Sequence, residues 1–250
     1  MESLYQRDLA YIHAAGFGSL ARGAAPEIVR LLRGAALPIR QVVEVGCGAG
    51  ALTAALLAAG FEVTGIEPSA ELLEIARTAA PAAHLVNASV YDAAIPACQA
   101  VVALGEPLTY HAEDADADQL VGGFFQRVAQ AVPAGGMLIL DVIELGEPSL
   151  EGRSWSSGDD WAVLVQTTED QSTRRVLREI ETFRRVGELY RRGREVHWVR
   201  LFDTHVLCDW LAALGFVTTT AQSYGSQPLQ PRRRAFFATR VDDDLARRIS

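Results

Sequence analysis

The stretch from Val42 to Gly60, VVEVGCGAGALTAALLAAG, has residue types and spacing that suit the binding of a nucleotide-bearing cofactor. A β-branched run ends at Val45, three glycines follow at alternate positions, and a run rich in alanine and leucine comes next. Strand, glycine turn and helix make a loop whose backbone can approach a ligand closely. Gly46, Gly48 and Ala51 also satisfy the G-x-G-x-x-A pattern of nicotinamide sites, so the loop alone does not decide between cofactors.

Two carboxylates near this loop bear on that choice. Glu44 lies two residues before the first glycine, where it would repel a pyrophosphate and attract the ammonium and sulfonium groups of S-adenosylmethionine. Glu67 ends the next apolar run, about 20 residues after Gly46, and can accept hydrogen bonds from both ribose hydroxyls. Nicotinamide sites use a carboxylate in the same way, so Glu67 is neutral, and Glu44 favours S-adenosylmethionine.

Two later segments complete a recognisable pattern. IEPSAELLEIAR places a Pro-Ser turn before a long helix, and AVPAGGMLILD places a glycine turn before a fifth strand. Together with the glycine loop they resemble the class I S-adenosylmethionine-dependent methyltransferases of the small-molecule type, over about residues 41–141 and 204–240. The resemblance implies a doubly wound α/β fold with a mostly parallel seven-stranded sheet, its last strand antiparallel beside the fifth. It also implies S-adenosylmethionine as cofactor and S-adenosylhomocysteine as product.

The resemblance further implies where the cofactor is held. Its predicted contacts, from the methionine part through the ribose and adenine to the sulfur, are Glu44, Gly46, Cys47, Gly48, Glu67, Pro68, Ser89, Val90, Leu104 and Gly105. Ser89 stands where the family often has an acidic residue, with Asp92 three positions later, so the adenine contact departs from the pattern. We expect the Ser89 side chain and the Val90 backbone to make it.

The acceptor should lie beyond the carboxyl ends of the strands, as ligands do in open α/β sheets. This rule selects Glu106, Tyr110, His111, Asp141, Glu144 and Tyr224. Methyl transfer needs mainly alignment, with a general base only where the nucleophile must lose a proton. Glu106 is the first catalytic candidate, the alternative being a turn residue. His197 is the second, since it shares one face of a strand with Val199 and Leu201, although a histidine among apolar neighbours is more often structural.

Residues near the N-terminus are candidates for both ligands. Tyr11 and Arg22 could bind the cofactor carboxylate, for which an arginine fork is well suited. Tyr5 and His13 could join Tyr110, Asp141 and Tyr224 at the acceptor. The alternatives are an amphipathic helix packed on the sheet for the N-terminal residues, a loop-holding role for Asp141 and a core position for Tyr224.

Periodicity predicts the elements that position these residues. Two helices precede residue 40, the second opened by Pro26 and ended by Gly34, and strands then alternate with helices up to a strand at Met137–Val142. Antiparallel patterning with turns at Asp170-Gln171-Ser172 and Arg192-Gly193 follows. Ser69 and Thr204 are the predicted N-caps of later helices, and Gly215 follows the end of the second of these. Two final strands, FVTTTAQSY and AFFATRV, complete the sheet. The predicted organisation is a lid (1–40), a core (41–149 and 203–250) and an inserted β-cap (150–202).

Composition excludes several classes of protein. The formal net charge of −8 argues against a nucleic-acid partner, and we interpret the arginine runs at 174–175, 184–185, 191–194 and 232–234 as solvated turns. All 23 basic residues are arginine, which excludes a P-loop lysine, a Schiff-base lysine and a Tyr-x-x-x-Lys dyad. Three cysteines without metal-type spacing predict no metal site. No apolar run reaches the ~20 residues of a membrane span, so a cytoplasmic protein is expected, with a homodimer through an open edge of the β-cap as a possibility.

These observations predict S-adenosylmethionine-dependent methyl transfer to an oxygen or nitrogen of a small molecule, aided by a carboxylate or histidine base. A methyltransferase acting on tRNA or protein is the first alternative. A nicotinamide-dependent dehydrogenase and a non-catalytic partner subunit with the same fold are the others.

Overall fold

The computed structural model describes residues 4–111 and 116–242, which contain three β-sheets and six α-helices. The helices are α1 (Arg7–Gly16), α2 (Ser19–Arg33), α3 (Ala51–Ala58), α4 (Ala70–Ala79), α5 (Ala117–Ala131) and α6 (Thr204–Ala213), with a 3-10 turn at Pro107–Thr109. The strands are β1 (Gln41–Val45), β2 (Glu62–Glu67), β3 (His84–Asn87), β4 (Ala100–Ala103), β5 (Met137–Ile143), β6 (Gly152–Ser157), β7 (Trp161–Asp170), β8 (Arg175–Val186), β9 (Leu189–Arg200), β10 (Phe216–Ala221), β11 (Ser223–Tyr224), β12 (Gln227–Pro228) and β13 (Arg233–Arg240).

The large sheet has seven strands in the order β10-β13-β5-β4-β1-β2-β3. Strands β1 to β5 are mutually parallel, and β13 runs antiparallel between β5 and β10. The predicted mostly parallel, seven-stranded sheet with its last strand beside the fifth is therefore confirmed. The strand order reverses between β1 and β4, and in open α/β sheets ligands bind at such a point, beyond the carboxyl ends of the strands.

Helices cover both faces of this sheet, which explains why its central strands are almost wholly apolar. On one face Val43 packs with Phe124 of α5 and Leu207 of α6. On the other face Val42 packs with Ile28 of α2 and with residues of α3. All seven residues of β5 are buried, including one charged residue, Asp141.

The second sheet is the antiparallel series β6-β7-β8-β9, inserted between β5 and α6. This confirms the predicted antiparallel β-cap after strand five. Helix α1 packs on the cap, where Leu9 and Ile12 share an apolar cluster with Trp161 and others. Within the predicted lid, α1 thus contacts the cap whereas α2 packs on the large sheet.

The predicted helix start at Pro26 and the predicted turn at Arg192-Gly193 were wrong. Helix α2 begins at Ser19 and carries Pro26 inside it, because the alanine-rich segment before the proline is itself a good helix former. The predicted turn at Arg192-Gly193 lies within β9, and the chain reverses at Gly187-Glu188 instead. Gly193 is opposite Thr182, whose hydroxyl would be 2.6 Å from a Cβ there, so the glycine relieves crowding rather than forming a turn.

Helix caps are partly as predicted. Ser69 Oγ accepts a hydrogen bond from Leu72 N at 3.1 Å, which confirms it as the N-cap of α4. Asp203, not Thr204, caps α6, because its carboxylate accepts the His205 N–H at 2.8 Å and an aspartate competes well for this position. Gly215 follows the end of α6 with φ +79°, as predicted.

Strand β10, predicted as FVTTTAQSY, ends earlier than predicted. It stops at Ala221, and Tyr224 lies in β11, which pairs with β12 outside the large sheet. No helix among the described residues is both long and apolar enough to cross a membrane.

Candidate functional site

The glycine loop after β1 is tied to the end of β2. The backbone N–H groups of Gly46 and Cys47 both donate to the Ile66 carbonyl, at 2.8 and 3.1 Å. Gly46 and Gly48 have φ of +69° and +54°, in the left-handed region that favours glycine. A Cβ on Gly46 would lie 2.5 Å from Pro107, whereas one on Gly48 would meet no atom within 4 Å. Gly46 therefore allows close packing between two loops, and Gly48 faces open space.

Glu67 closes one side of that space. Its Oε2 accepts the Gly48 N–H at 3.0 Å and its Oε1 accepts the Ser69 N–H at 2.9 Å. Burial raises the pKa of Glu67, against the lowering effect of these two hydrogen bonds. Each carboxylate oxygen has two lone pairs, so both can still accept a hydroxyl hydrogen. This pair of acceptor oxygens fits the two ribose hydroxyls of an adenosyl group.

Glu44 lies at the end of β1 beneath the loop. Its Oε2 accepts the hydroxyl of Thr53 at 2.6 Å, and burial raises its pKa to about 8. The neighbouring Cys47 is also buried, which raises the pKa of its thiol. A neutral buried thiol is a poor nucleophile, so Cys47 serves the packing of the loop.

The predicted adenine contacts lie in the turn after β3. Ser89 Oγ accepts the Tyr91 N–H at 3.2 Å, and the Val90 carbonyl accepts a hydrogen bond from Arg127 at 2.8 Å. Asn87 on the same strand donates to the Pro68 carbonyl at 2.8 Å. These bonds hold the turn beside the end of β2, where the ribose-binding carboxylate lies.

The loop after β4 is held by one buried carboxylate. Gly105 and Glu106 have φ of +85° and +64°, so their N–H groups point the same way. Asp141 accepts both, at 2.8 and 3.1 Å, and accepts the hydroxyl of Tyr224 at 3.0 Å. Burial raises the pKa of Asp141 to about 6. Asp141 and Tyr224 are fully buried, so the structure gives them a loop-holding role in place of the predicted substrate contact.

The Glu106 side chain is bound by two arginines. Arg178 Nη1 lies 2.8 Å from Oε1, Arg233 Nη2 lies 3.1 Å from Oε2, and the Tyr110 hydroxyl is 3.3 Å from Oε1. Burial alone would raise the pKa of Glu106, but the two guanidinium charges outweigh it and hold the pKa below its usual value. Glu106 is therefore a fixed negative charge rather than a ready proton acceptor.

A second group of polar side chains adjoins Glu106. The hydroxyls of Tyr5 and Tyr110 are 3.2 Å apart, and the His197 ring lies 5.2 Å from that of Tyr5 between centroids. His197 Nε2 is 3.0 Å from Glu195 Oε2. Burial is the main cause that raises the pKa of both tyrosines. These phenols are consequently neutral donors at physiological pH.

Glu195 also binds the start of α1. It accepts the N–H groups of Tyr5 and Gln6 at 2.8 and 2.9 Å, and Ser69 Oγ donates to the Tyr5 carbonyl at 2.8 Å. Ser69 is also the N-cap of the helix that follows Glu67. Residue 5 therefore connects the β-cap, through Glu195, to the predicted ribose site. The structure thus brings Tyr5, Tyr110, His197 and Glu106 together.

Other predicted residues lie elsewhere or at the margin. The Tyr11 hydroxyl donates to Asp160 at 2.8 Å with Arg184 over its ring, so it serves the contact between α1 and the cap rather than the predicted cofactor contact. His13 is edge-on to Tyr5, its Nδ1 lacks a hydrogen bond within residues 4–111 and 116–242, and burial lowers its pKa. Arg22 lies on α2 beside Gly18.

Two further candidates for acceptor binding, His111 and Glu144, form hydrogen bonds with other parts of the protein. His111 is buried directly after Tyr110, and its N–H points to the Trp198 carbonyl of β9. Glu144 accepts hydrogen bonds from Thr204 and Arg234. Leu104, a predicted cofactor contact, is partly buried at the end of β4, before the left-handed Gly105.

Arg178, Arg233 and Glu195 are absent from the predicted site. The alternation in β8, where Val176 and Ile180 are buried on either side of Arg178, could have placed this arginine on the inward face. Arg233 was grouped with solvated turns, which is wrong, because it begins β13, which lies between β5 and β10 in the large sheet, and pairs with Glu106.

Comparison with known proteins gives a consistent assignment. Residues 42–136 match the family described as methyltransferase domain. A relative from Geobacillus sp. (strain WCH70), provisionally named a methyltransferase, is 24% identical over 80% of this chain and 84% of its own.

Two solved structures share the fold at low sequence identity. The sugar N-methyltransferase KedS8 from Streptoalloteichus sp ATCC 53650 is 21% identical with a TM-score of 0.76, over 93% of this chain and 92% of its own. CalS10, an amino pentose methyltransferase from Micromonospora echinaspora solved with S-adenosylmethionine bound, is 19% identical with a TM-score of 0.73, over 92% and 96%. The chain thus contains a methyltransferase domain at residues 42–136, within a fold that it shares with solved methyltransferases and with a loop that fits an adenosyl group.

Proposed function

We propose that this enzyme transfers the methyl group of S-adenosylmethionine to an oxygen or nitrogen of a small molecule. The observation that carries the proposal is the polar cluster of Glu106, Tyr5, Tyr110 and His197. It lies at the carboxyl edge of the large sheet and is covered by the start of α1 and by the cap strands β8 and β9. A site closed by protein on two sides suits a small acceptor better than a polymer.

The cofactor residues hold one end of the reaction. Glu67 accepts the ribose hydroxyls, Gly48 leaves room for the methionine part, and the Glu44 carboxylate lies beneath the loop to offset its ammonium charge. When bound, S-adenosylmethionine supplies a methyl carbon already activated by the sulfonium. The loop at Leu104 and Gly105 faces it, since a Cβ on Gly105 would also meet open space.

The acceptor residues act mainly by orientation. Because Glu106 is held ionised by two arginines, its role is to fix charge and to hold the neutral phenol of Tyr110. His197, with Glu195 on its Nε2, is the remaining candidate for accepting a proton from a hydroxyl or ammonium nucleophile. The positive charge of the arginines also favours a neutral amine over its protonated form, and only the neutral amine can attack.

Two solved relatives by fold act on sugars, as their descriptions state, and this supports a small-molecule acceptor. The same proteins leave oxygen and nitrogen both open here, because their identity to this chain is low.

The test uses labelled methyl transfer from S-adenosylmethionine to three fractions of a cell extract: small molecules, RNA and protein. Label should enter the small-molecule fraction alone. Glu67→Ala should abolish it, whereas Glu62→Ala, an exposed carboxylate on the same strand, should not. Label in RNA or protein would replace the proposal with the polymer alternative. Thermal stabilisation by NAD but not by S-adenosylhomocysteine would reject the cofactor itself.

A further inference from the structure

Arg178 and Arg233 differ from the structural arginines of this chain. Arg232, the residue before Arg233, is almost fully buried and uses Nε, Nη1 and Nη2 in hydrogen bonds to the Glu144 carbonyl, the Pro148 carbonyl and Glu169. This is the expected state of a buried guanidinium, whose five N–H groups need acceptors.

The two arginines of the site leave most of their donors unused. Only Nη1 of Arg178 has hydrogen bonds within the described part of the chain, to Glu106 and to the Tyr110 hydroxyl. The guanidinium of Arg233 makes an ion pair with Glu106 and no hydrogen bond to any described residue. Their side chains are 20% and 19% exposed, so the remaining N–H groups face an accessible space rather than protein.

The local charges are also unequal. One carboxylate, Glu106, lies between two guanidiniums, and the nearby Asp141 is occupied by two backbone N–H groups and the Tyr224 hydroxyl. Each arginine therefore lacks a full partner, and the two positive charges repel each other. An additional anion at this point would satisfy unused donors and reduce that repulsion.

The geometry points to a defined ligand chemistry. Arg178 belongs to cap strand β8 and Arg233 to core strand β13, so an anion held by both would join cap and core beside the transfer site. Planar guanidinium forks are complementary to carboxylate and phosphate oxygens. We propose that Arg178 and Arg233 form a subsite for a carboxylate or phosphate group of the methyl acceptor. The inference rests on the proposed small-molecule function and narrows its substrate class.

The experiment measures anion binding to the whole protein by calorimetry and by thermal unfolding. The probes are inorganic phosphate and acetate, with chloride at the same ionic strength as the reference. At least one probe should bind saturably and raise the melting temperature. Phosphate alone indicates a phosphate-bearing acceptor, acetate alone a carboxylate-bearing one, and both together the shared subsite.

The variants Arg178→Gln and Arg233→Gln should each lower the affinity for the anion by roughly tenfold or more, the range for charge-assisted hydrogen bonds. Arg233→Lys keeps the positive charge but loses the planar fork, so its anion affinity should lie between that of the glutamine variants and that of the parent protein. Arg192→Gln is the matched control, because Arg192 is an exposed cap arginine paired with Glu181. S-adenosylhomocysteine affinity, measured on every variant, should stay within about threefold.

The proposal is overturned if phosphate and acetate behave as chloride does, or if Arg192→Gln weakens them equally. Loss of S-adenosylhomocysteine binding in the parent protein would instead refute the proposed function, while anion binding could persist. The two failures are therefore distinguishable.

Discussion

Cofactor binding should be coupled to the loss of a proton from Glu44. Glu44 is buried with the Thr53 hydroxyl as its hydrogen-bond partner, and its pKa is raised to about 8 by burial. In the free protein about a tenth of the molecules therefore carry an ionised Glu44 at pH 7, and about a hundredth at pH 6. The ammonium group of the cofactor favours the ionised form, so binding must deprotonate the side chain.

The sign and size of the effect follow. Because the deprotonated protein is the form that binds, affinity for S-adenosylhomocysteine rises with pH, by about tenfold from pH 6 to pH 7, and it levels off above about pH 8. Each binding event at pH 7 should release about 0.9 protons. Calorimetry in buffers of different ionisation enthalpy measures this release directly, since the observed heat varies with the buffer in proportion to the protons released.

Two variants assign the proton to a residue. Glu44→Gln cannot ionise, so its affinity should be lower at pH 8 and almost independent of pH. Glu67, whose pKa is also raised by burial, contributes with the same sign, and Glu67→Gln should keep the part of the slope that belongs to Glu44. A parent protein that binds with the same affinity at pH 6 and pH 7 and releases no proton would refute the reasoning.

Three other predictions concern the two loops. Gly48 and Gly60 both have positive φ and open space at the Cβ position, so alanine at either should cost about 1 kcal/mol of stability. Only Gly48→Ala should also lower the affinity for S-adenosylhomocysteine, which titration measures. Asp141→Ala should lower the free energy of unfolding in urea by about 2–4 kcal/mol, because the N–H groups of Gly105 and Glu106 lose their acceptor, against about 1 kcal/mol for Tyr224→Phe; equal losses would contradict this. Glu106→Gln should lower turnover of an identified acceptor by about 10²-fold at every pH between 5 and 9, because the residue is ionised throughout, and a shifted acid limb in the rate profile would show that it accepts a proton.

The cofactor side of the site was accessible from sequence because its signals are local. The glycine loop, Glu44 and Glu67 lie at the ends of two consecutive strands, and parallel pairing of β1 with β2 brings those ends together. The α/β alternation predicts the topology for the same reason. The start of α2 was wrongly predicted at Pro26, because the position of a proline alone does not reveal whether the residues before it also form helix.

The acceptor side depends on contacts between distant parts of the chain. Arg178 lies 72 positions from Glu106, and whether it meets a carboxylate or water is decided by the register of β8 and by how the cap docks. The same holds for Glu195, which is 190 positions from Tyr5. A run of arginines has the same appearance in the sequence whether its side chains meet a carboxylate or face water. The sequence pattern could therefore not distinguish Arg233 from the arginines that face solvent.

The shared core of α1 and the cap has a consequence for protein engineering. Leu9 and Ile12 pack with Trp161 and Ile180, and Asp8 forms an ion pair with Arg191. A chimera that takes only residues 150–202 from a relative would join a foreign cap to the native α1 and leave these contacts mismatched. Exchange of acceptor specificity between relatives therefore requires transplanting two separate segments, residues 5–16 and the cap, as one unit.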